Sequence, residues 1–187
     1  MRIVAGQWGG RRLQVPKGRD IRPTSDKVRG AVFNMLRGMG AVNRAVVLDA
    51  FCGSGALGLE ALSQGASSCV FVDKAKSSLE LARLNAAQFE AEGVSRFCYG
   101  DAAKDLVYRK YNAAFDLVFL DPPYRKSMID SVLKNNGFLE SLRDGAIIVV
   151  EVEREFQYEV DSYFEGLQEK MYGDTKVVIL RYDKSAS

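Results

Sequence analysis

The sequence predicts one α/β domain built on a mostly parallel sheet, and three observations predict it. From residue 45 onward, short apolar runs of strand length alternate with longer amphipathic ones, the pattern of strands buried on both faces beneath crossover helices. The chain has 187 residues, which fits the roughly 100–200 residues of a single domain. Its 47% apolar and 27% charged residues are those of an ordinary globular protein, so disordered, collagen-like and disulfide-stapled chains are excluded.

The elements follow in order. Residues 1–15 read as two short strands around Gly9-Gly10, a dipeptide suited to a tight hairpin turn. Residues 16–23 form a loop containing Pro and Gly, and Thr24 or Ser25 caps a helix whose apolar positions Val28, Val32, Met35 and Leu36 recur at helical spacing. That helix ends near Gly38 and Gly40. Strands are predicted at 45–50, 69–73, 95–100, 115–121 and 146–152, with helices at 56–64, 75–91, 102–110 and 127–140 between them. The segment KMYGDTKVVILRY closes the chain as a hairpin turning at Gly173-Asp174. Residues 1–24 are thus an extension on a catalytic-size core of 25–187, within one domain.

Composition restricts the chemistry. There is no histidine, which excludes a Ser-His-Asp triad, a histidine-ligated metal and a histidine general base. Cys52, Cys69 and Cys98 are spaced for neither a C-x-x-C pair nor a zinc site, so no metal is expected. They read as buried thiols of a protein in the reducing cytoplasm, and the opening residues carry no apolar leader. No apolar run reaches the ~18 residues of a membrane span. The formal net charge of +2 conceals a division: residues 1–45 hold ten basic residues against Asp20 and Asp26, a net of +8, which leaves −6 on the remainder. A basic end on an acidic body is the asymmetry of a chain that touches a polyanion, where each phosphate contact releases condensed counterions. Arg11, Arg12, Lys17, Arg19, Arg22, Thr24 and Lys27 are the candidate nucleic-acid contacts here, with Arg125 and Lys126 later in the chain.

Two segments carry the site. The first predicted strand runs into Asp49-Ala-Phe51-Cys-Gly53-Ser54-Gly55-Ala-Leu-Gly58, a G-x-G-x-x-G at the start of a helix. Such glycines let the backbone turn tightly and approach a ligand, and the helix start offers free N–H donors. Asp73, followed by Lys74, ends the second strand where a carboxylate can accept from ribose hydroxyls, and Asp101-Ala102 follows the third, facing an adenine amine. NAD and S-adenosylmethionine both satisfy this pattern. Asp49 and the Gly100-Asp101-Ala102 turn separate them: a carboxylate at Asp49 repels a pyrophosphate and favours a cationic methionine moiety, and Asp101 offers its carboxylate to an adenine amine on the same edge of the sheet. The second segment is Asp121-Pro122-Pro123-Tyr124, where the fourth strand leaves the sheet. Asp121 and the Pro122 carbonyl can accept the two N–H bonds of an exocyclic amine, tandem prolines hold them rigid, and Tyr124 can stack on the planar base. Such a reaction needs no group titrating near neutrality.

These residues resemble a known family. DAFCGSGALGLEAL, FVDK, GDA and DPPY are similar to the motif series of class I S-adenosylmethionine-dependent amino-methyltransferases. VAGQWGGRRLQVP, RPTSDKVRGAVFNML and MYGDTKVVIL resemble the RsmD-type family, bacterial methyltransferases acting on the guanine-966 N2 amine of 16S rRNA. The resemblance spans nearly the whole chain in order. It implies a Rossmann-like sheet of seven strands with the last antiparallel, a small N-terminal hairpin, and S-adenosylmethionine held at Asp49, Gly53, Gly55, Asp73 and Asp101. It also implies a catalytic loop at Asp121–Tyr124 and 16S rRNA or the small ribosomal subunit as partner. Gly30 departs from the family, whose members often carry Glu there, and costs its helix about 1 kcal/mol relative to Ala. The competing readings are adenine-N6 methylation of DNA or RNA, methylation of a protein glutamine, a non-catalytic RNA-binding protein, and a nicotinamide-dependent oxidoreductase.

Overall fold

Helix α1 (Asp26–Gly38) starts where Ser25, in extended conformation, accepts the Val28 N–H on its hydroxyl, supplying one of the orphan donors of a first turn. The computed structural model describes residues 1–16, 25–104, 108, 114–122, 126–155 and 161–186. Strand β1 (Val46–Ala50) leads through the glycine turn into α2 (Ala56–Ser63), and β2 (Ser68–Asp73) into α3 (Lys76–Gln88). Then come β3 (Ser95–Tyr99), β4 (Phe115–Leu120), α4 (Lys126–Leu133), α5 (Asn136–Glu140), β5 (Leu142–Glu153), β6 (Phe164–Tyr172) and β7 (Thr175–Tyr182). Of the helix predicted at 102–110, residues 102–104 form a turn and Tyr108 is helical, while 105–107 and 109–110 lie outside the described residues.

The seven strands form one sheet in the order β3-β2-β1-β4-β5-β7-β6. β1 to β5 are mutually parallel, and β7 runs antiparallel to both β5 and β6, as the resemblance implies. Alternation along each strand sends side chains to two cores. Val47, Cys69, Phe71, Leu117, Phe119, Val149 and Ile179 pack beneath α1, α2, α3 and the N-terminal segment. Leu48, Val70, Val118, Leu120, Ile148 and Leu180 pack against Tyr108, α4 and α5 on the other face. All three cysteines are buried free thiols.

Three elements differ from expectation. The N-terminal hairpin is present, but one bridge, Arg2 to Arg12, holds it in place of two full strands. The reason lies in its surroundings. The backbone N–H groups of this segment turn to α2: Val4 and Ala5 donate to the Glu60 carboxylate at 2.7 and 2.9 Å, Gln7 to the Ser63 carbonyl at 2.9 Å, and Trp8 to the Ser63 hydroxyl at 3.0 Å. The helix predicted at 127–140 is two helices, because Asn135 breaks it by accepting the Phe138 N–H at 2.9 Å and starting α5. The helix predicted at 75–91 ends at Gln88, where Glu90 adopts φ 57° and the Ala91 N–H closes onto the Ala86 carbonyl.

Gly30 has a role the sequence did not reveal. A Cβ at this position would stand 3.3 Å from Val4 Cγ1, so the helix approaches the N-terminal segment where a longer side chain would push it away. Among the described residues no helix is long and apolar enough to cross a membrane.

Candidate active site

The register of the sheet brings four carboxylates to one edge. Ala50 pairs with Val72 on one side and Leu120 on the other, so Phe51, Asp73 and Asp121, each the next residue, leave the sheet at one level. Asp73 pairs in turn with Tyr99, two residues before Asp101. This is the carboxyl end of the parallel strands, beside the reversal of strand order between β1 and β4, where ligands of open α/β sheets bind.

The three glycines of the turn do different things. Gly53 has φ 53° and nothing within 4 Å of where a Cβ would stand, so its backbone faces open space. Gly55, at φ 77°, is the left-handed cap of α2, and a Cβ there would sit 3.2 Å from both Ala82 Cβ and Phe71 Cε1. At Gly58 a Cβ would meet Phe71 Cε1 at 2.4 Å and Cys69 Sγ at 2.6 Å; this glycine lets α2 lie on β2. Phe51 takes φ 68°, a conformation that costs a non-glycine residue of order 1–3 kcal/mol and clusters at ligand sites. Phe51, Asp73, Lys74, Gly100, Asp101 and Ala102 line a cleft of about 160 Å³.

The carboxylates are held, not loose. Asp73 accepts the Gly53 N–H at 3.0 Å on one oxygen and the Ala75 N–H at 2.8 Å on the other, which fixes its direction and leaves each oxygen a further lone pair. Asp101 accepts the Ala103 N–H at 3.0 Å on Oδ1. Asp49 stands one residue inside the strand end. It is 2% exposed and accepts the Gly58 N–H at 2.9 Å. Burial pushes its carboxyl up to about 8, against the pull of that hydrogen bond and with a further push from the charge of Asp73. Burial also raises the Cys52 thiol, aided by Asp49 and Asp73. Burial and the charge of Asp73 thus together disfavour a further negative charge beside the glycine turn.

Asp121 is half-buried and Pro122 buried at the mouth of β4. Pro123, Tyr124 and Arg125 lie outside the described residues, as do Lys17, Arg19, Arg22 and Thr24. Of the predicted nucleic-acid contacts, Lys27 is exposed in the first turn of α1. Arg12 is exposed as well. Arg11 is exposed yet committed: its guanidinium donates to the Gln88 carbonyl at 2.6 Å and lies 4.6 Å over the Phe89 ring, which stacks on Trp8 at 5.1 Å.

The model of the family described as "Conserved hypothetical protein 95" matches residues 1–181. "Ribosomal RNA small subunit methyltransferase D" of Escherichia coli (strain K12) is 37% identical over 158 residues, covering 83% of this chain and 76% of that protein. The chain belongs to the RsmD-type family. The Haemophilus influenzae protein of the same name is 32% identical over 177 residues, covering 92% and 89%. A solved structure titled "Putative methyltransferase yhhF from Escherichia coli" superposes with a TM-score of 0.84 at 32% identity, covering 98% of each chain. The seven-stranded sheet with β7 antiparallel is thus the Rossmann-like methyltransferase fold that the resemblance implies.

Sequence reading of this RsmD-type chain missed the residues that tie its extension to the site. Arg29 and Glu60 are fully buried and paired at 3.3 Å, and Arg29 also donates to Asp26 at 2.8 Å and to the Arg2 carbonyl. Asn85 is fully buried in α3. The available signal was an acid inside the apolar run LGLEAL and an amide on the face of Leu79, Ala82 and Ala86, polar groups at positions that burial tolerates only when partnered.

Proposed function

We propose that this chain methylates the exocyclic N2 amine of a guanine in small-subunit rRNA, using S-adenosylmethionine. The observation that carries the reading is the convergence of Asp49, Asp73, Asp101 and Asp121 at the ends of four adjacent strands around the open face of Gly53. The names of its relatives give the substrate class. The residues fit the cofactor. Gly53 leaves room for close backbone approach, the Asp73 and Asp101 carboxylates line the cleft for ribose hydroxyls and an adenine amine, and Asp49 with Asp73 favours a cationic amino-acid end. When bound, S-adenosylmethionine supplies an activated methyl group on a sulfonium.

The chain's own residues do the rest. Asp121 accepts one N–H of the guanine amine and the Pro122 carbonyl accepts the other, which aims the nitrogen lone pair at the methyl and polarises an otherwise delocalised amine. Tyr124 stacks on the base after it leaves its helix or loop. The methylated amine is acidic and gives its proton to Asp121 or to water. Basic residues of the first 27 positions hold the phosphates.

Incubation of tritium-labelled S-adenosylmethionine with 16S rRNA or small subunits from a strain lacking this protein tests the reading. The label is expected in N2-methylguanine, with Asp121→Ala lowering turnover ~100-fold or more at nearly unchanged cofactor affinity. Label in adenine N6 or a protein glutamine would move the chain to another amine, and unchanged turnover in Asp121→Ala would remove the mechanism.

A further inference from the structure

We propose that Asn85 is a positioning residue through which cofactor binding and RNA binding are coupled; this rests on the function proposed above. Its side-chain amide spans two parts of the molecule. Oδ1 accepts the Gln14 N–H at 2.8 Å, while Nδ2 donates to the Gln14 carbonyl at 2.9 Å and to the Ser54 carbonyl at 2.9 Å. One end of the bridge is the glycine turn of the cofactor cleft. The other is the N-terminal segment, two residues beyond Arg12.

The bridge has no slack. Both N–H bonds of the amide and its oxygen are engaged, and the residue is fully buried, so no water replaces a lost partner. The amide is planar. If the Ser54 carbonyl shifts, the amide must either release it or rotate and misalign both bonds to Gln14. Ser54 stands between Gly53 at φ 53° and Gly55 at φ 77°, the most permissive backbone of the turn, so a ligand seated against Gly53 defines where that carbonyl lies. One helical turn on, Gln88 repeats the grip on the segment: its Nε2 donates to the Arg12 carbonyl at 2.8 Å, and its own carbonyl takes the Arg11 guanidinium. The placement of Arg11 and Arg12 against phosphate is therefore set by the same face of α3 that reads the turn. By linkage, a cofactor that orders Ser54 tightens RNA binding, and RNA tightens the cofactor by the same factor.

Ser63 provides the control. It also fastens the N-terminal segment, through the Trp8 N–H and the Ala5 carbonyl at 2.6 Å, without a bond to the turn. The dissociation constant of 16S rRNA is measured with and without saturating S-adenosylhomocysteine in wild type, N85A, N85D and S63A, and that of S-adenosylhomocysteine with and without RNA. Wild type and S63A should show about fivefold or greater tightening in both directions. N85A and N85D should bind each ligand separately, with the ratio reduced to within about twofold of one. N85D preserves shape and loses both donors, so it carries the comparison if N85A does not fold. An unchanged ratio in the Asn85 variants, equal loss in S63A, or no coupling in wild type overturns the proposal. Failure of wild type to bind RNA at all overturns the rRNA reading instead.

Discussion

Wild type should bind S-adenosylmethionine with an affinity that depends on pH, and replacing Asp49 by Asn should abolish that dependence. The Asp49 carboxyl is pushed up to about 8, chiefly by burial, while accepting the Gly58 N–H. A carboxyl whose folded value lies above its free value of about 4 binds its proton more tightly in the folded protein, so its contribution to apoprotein stability falls as pH rises from about 4 to about 8. A cation seated against it reverses the preference and expels the proton. If binding requires the ionised form, affinity falls tenfold per pH unit below 8, and at pH 6.5 is ~16-fold weaker than at pH 8. Calorimetry at pH 7 in buffers of different ionisation enthalpy should find about 0.9 proton released per cofactor bound. In D49N the Asn oxygen still accepts from Gly58, and both effects vanish. The α-amino group of the ligand titrates at roughly 7.7–8.0 in either case, so the ratio of wild type to D49N is the quantity to read. Identical pH profiles and proton release in the two proteins would refute the reasoning and leave Asp49 as the anchor of α2 alone.

Gly58→Ala should destabilise the protein by about 1–3 kcal/mol, read as a lower denaturant midpoint at unchanged slope. Its Cβ would overlap Phe71 and Cys69, both fully buried, and Phe71 is stacked on Phe97 at 5.1 Å. Glu60→Ala should cost about 3–5 kcal/mol by removing the fully buried partner of the Arg29 guanidinium together with the acceptor of the Val4 and Ala5 N–H groups, a fall in Tm of order 10 °C. The double variant R29M/E60L should not recover it, because the Val4 and Ala5 N–H groups still lose their acceptor; full recovery would mean the ion pair alone matters. Arg12→Ala should weaken rRNA binding and reduce the salt slope by about one unit with Tm unchanged. Arg11→Ala should also lower Tm, since its guanidinium holds Gln88 and covers Phe89.

What the sequence disclosed depended on the range of the interactions involved. Strands β1, β2, β4 and β5 were visible because each contains an apolar run filled on both faces, while β3, at the sheet edge with Arg96 and Tyr99 exposed, rested on the alternation of strands and helices around it; the glycine turn was visible as a G-x-G-x-x-G at a strand end. The four acids were visible as strand-terminal residues; that Asp49 points under α2 while Asp73 lines the cleft follows from alternation along β1 and the pairing Asp49 with Phe71, which needs the sheet. The N-terminal segment was legible as basic but not as docked. Its position depends on Glu60, Ser63 and Asn85, between 55 and 71 residues away in sequence, and no local pattern announces which backbone group a buried amide or carboxylate serves. The break at Asn135 was obscured for the opposite reason, since a single capping side chain outweighs the helical spacing that runs across it.

With no histidine in the chain, any titration near neutral pH falls to other groups. An acid raised by burial titrates where an imidazole would, so Asp49 gives this chain a group that changes charge near neutral pH. Its placement decides what that group can do. Asp49 lies under the first turn of α2, level with Phe71 and Phe119 and one residue short of the strand end, and the sheet register puts Asp121, not Asp49, at the level where β4 leaves the sheet. A proton lost from an amine at Asp121 has no need of Asp49, because the methylated amine is acidic enough to give it to an ordinary carboxylate or to water. On the proposed function the two carboxylates divide the work: burial tunes one to sense a cation, and the Pro122 that follows holds the other as an acceptor. Turnover at saturating cofactor should accordingly be insensitive to the protonation of Asp49, with the pH effect confined to cofactor affinity.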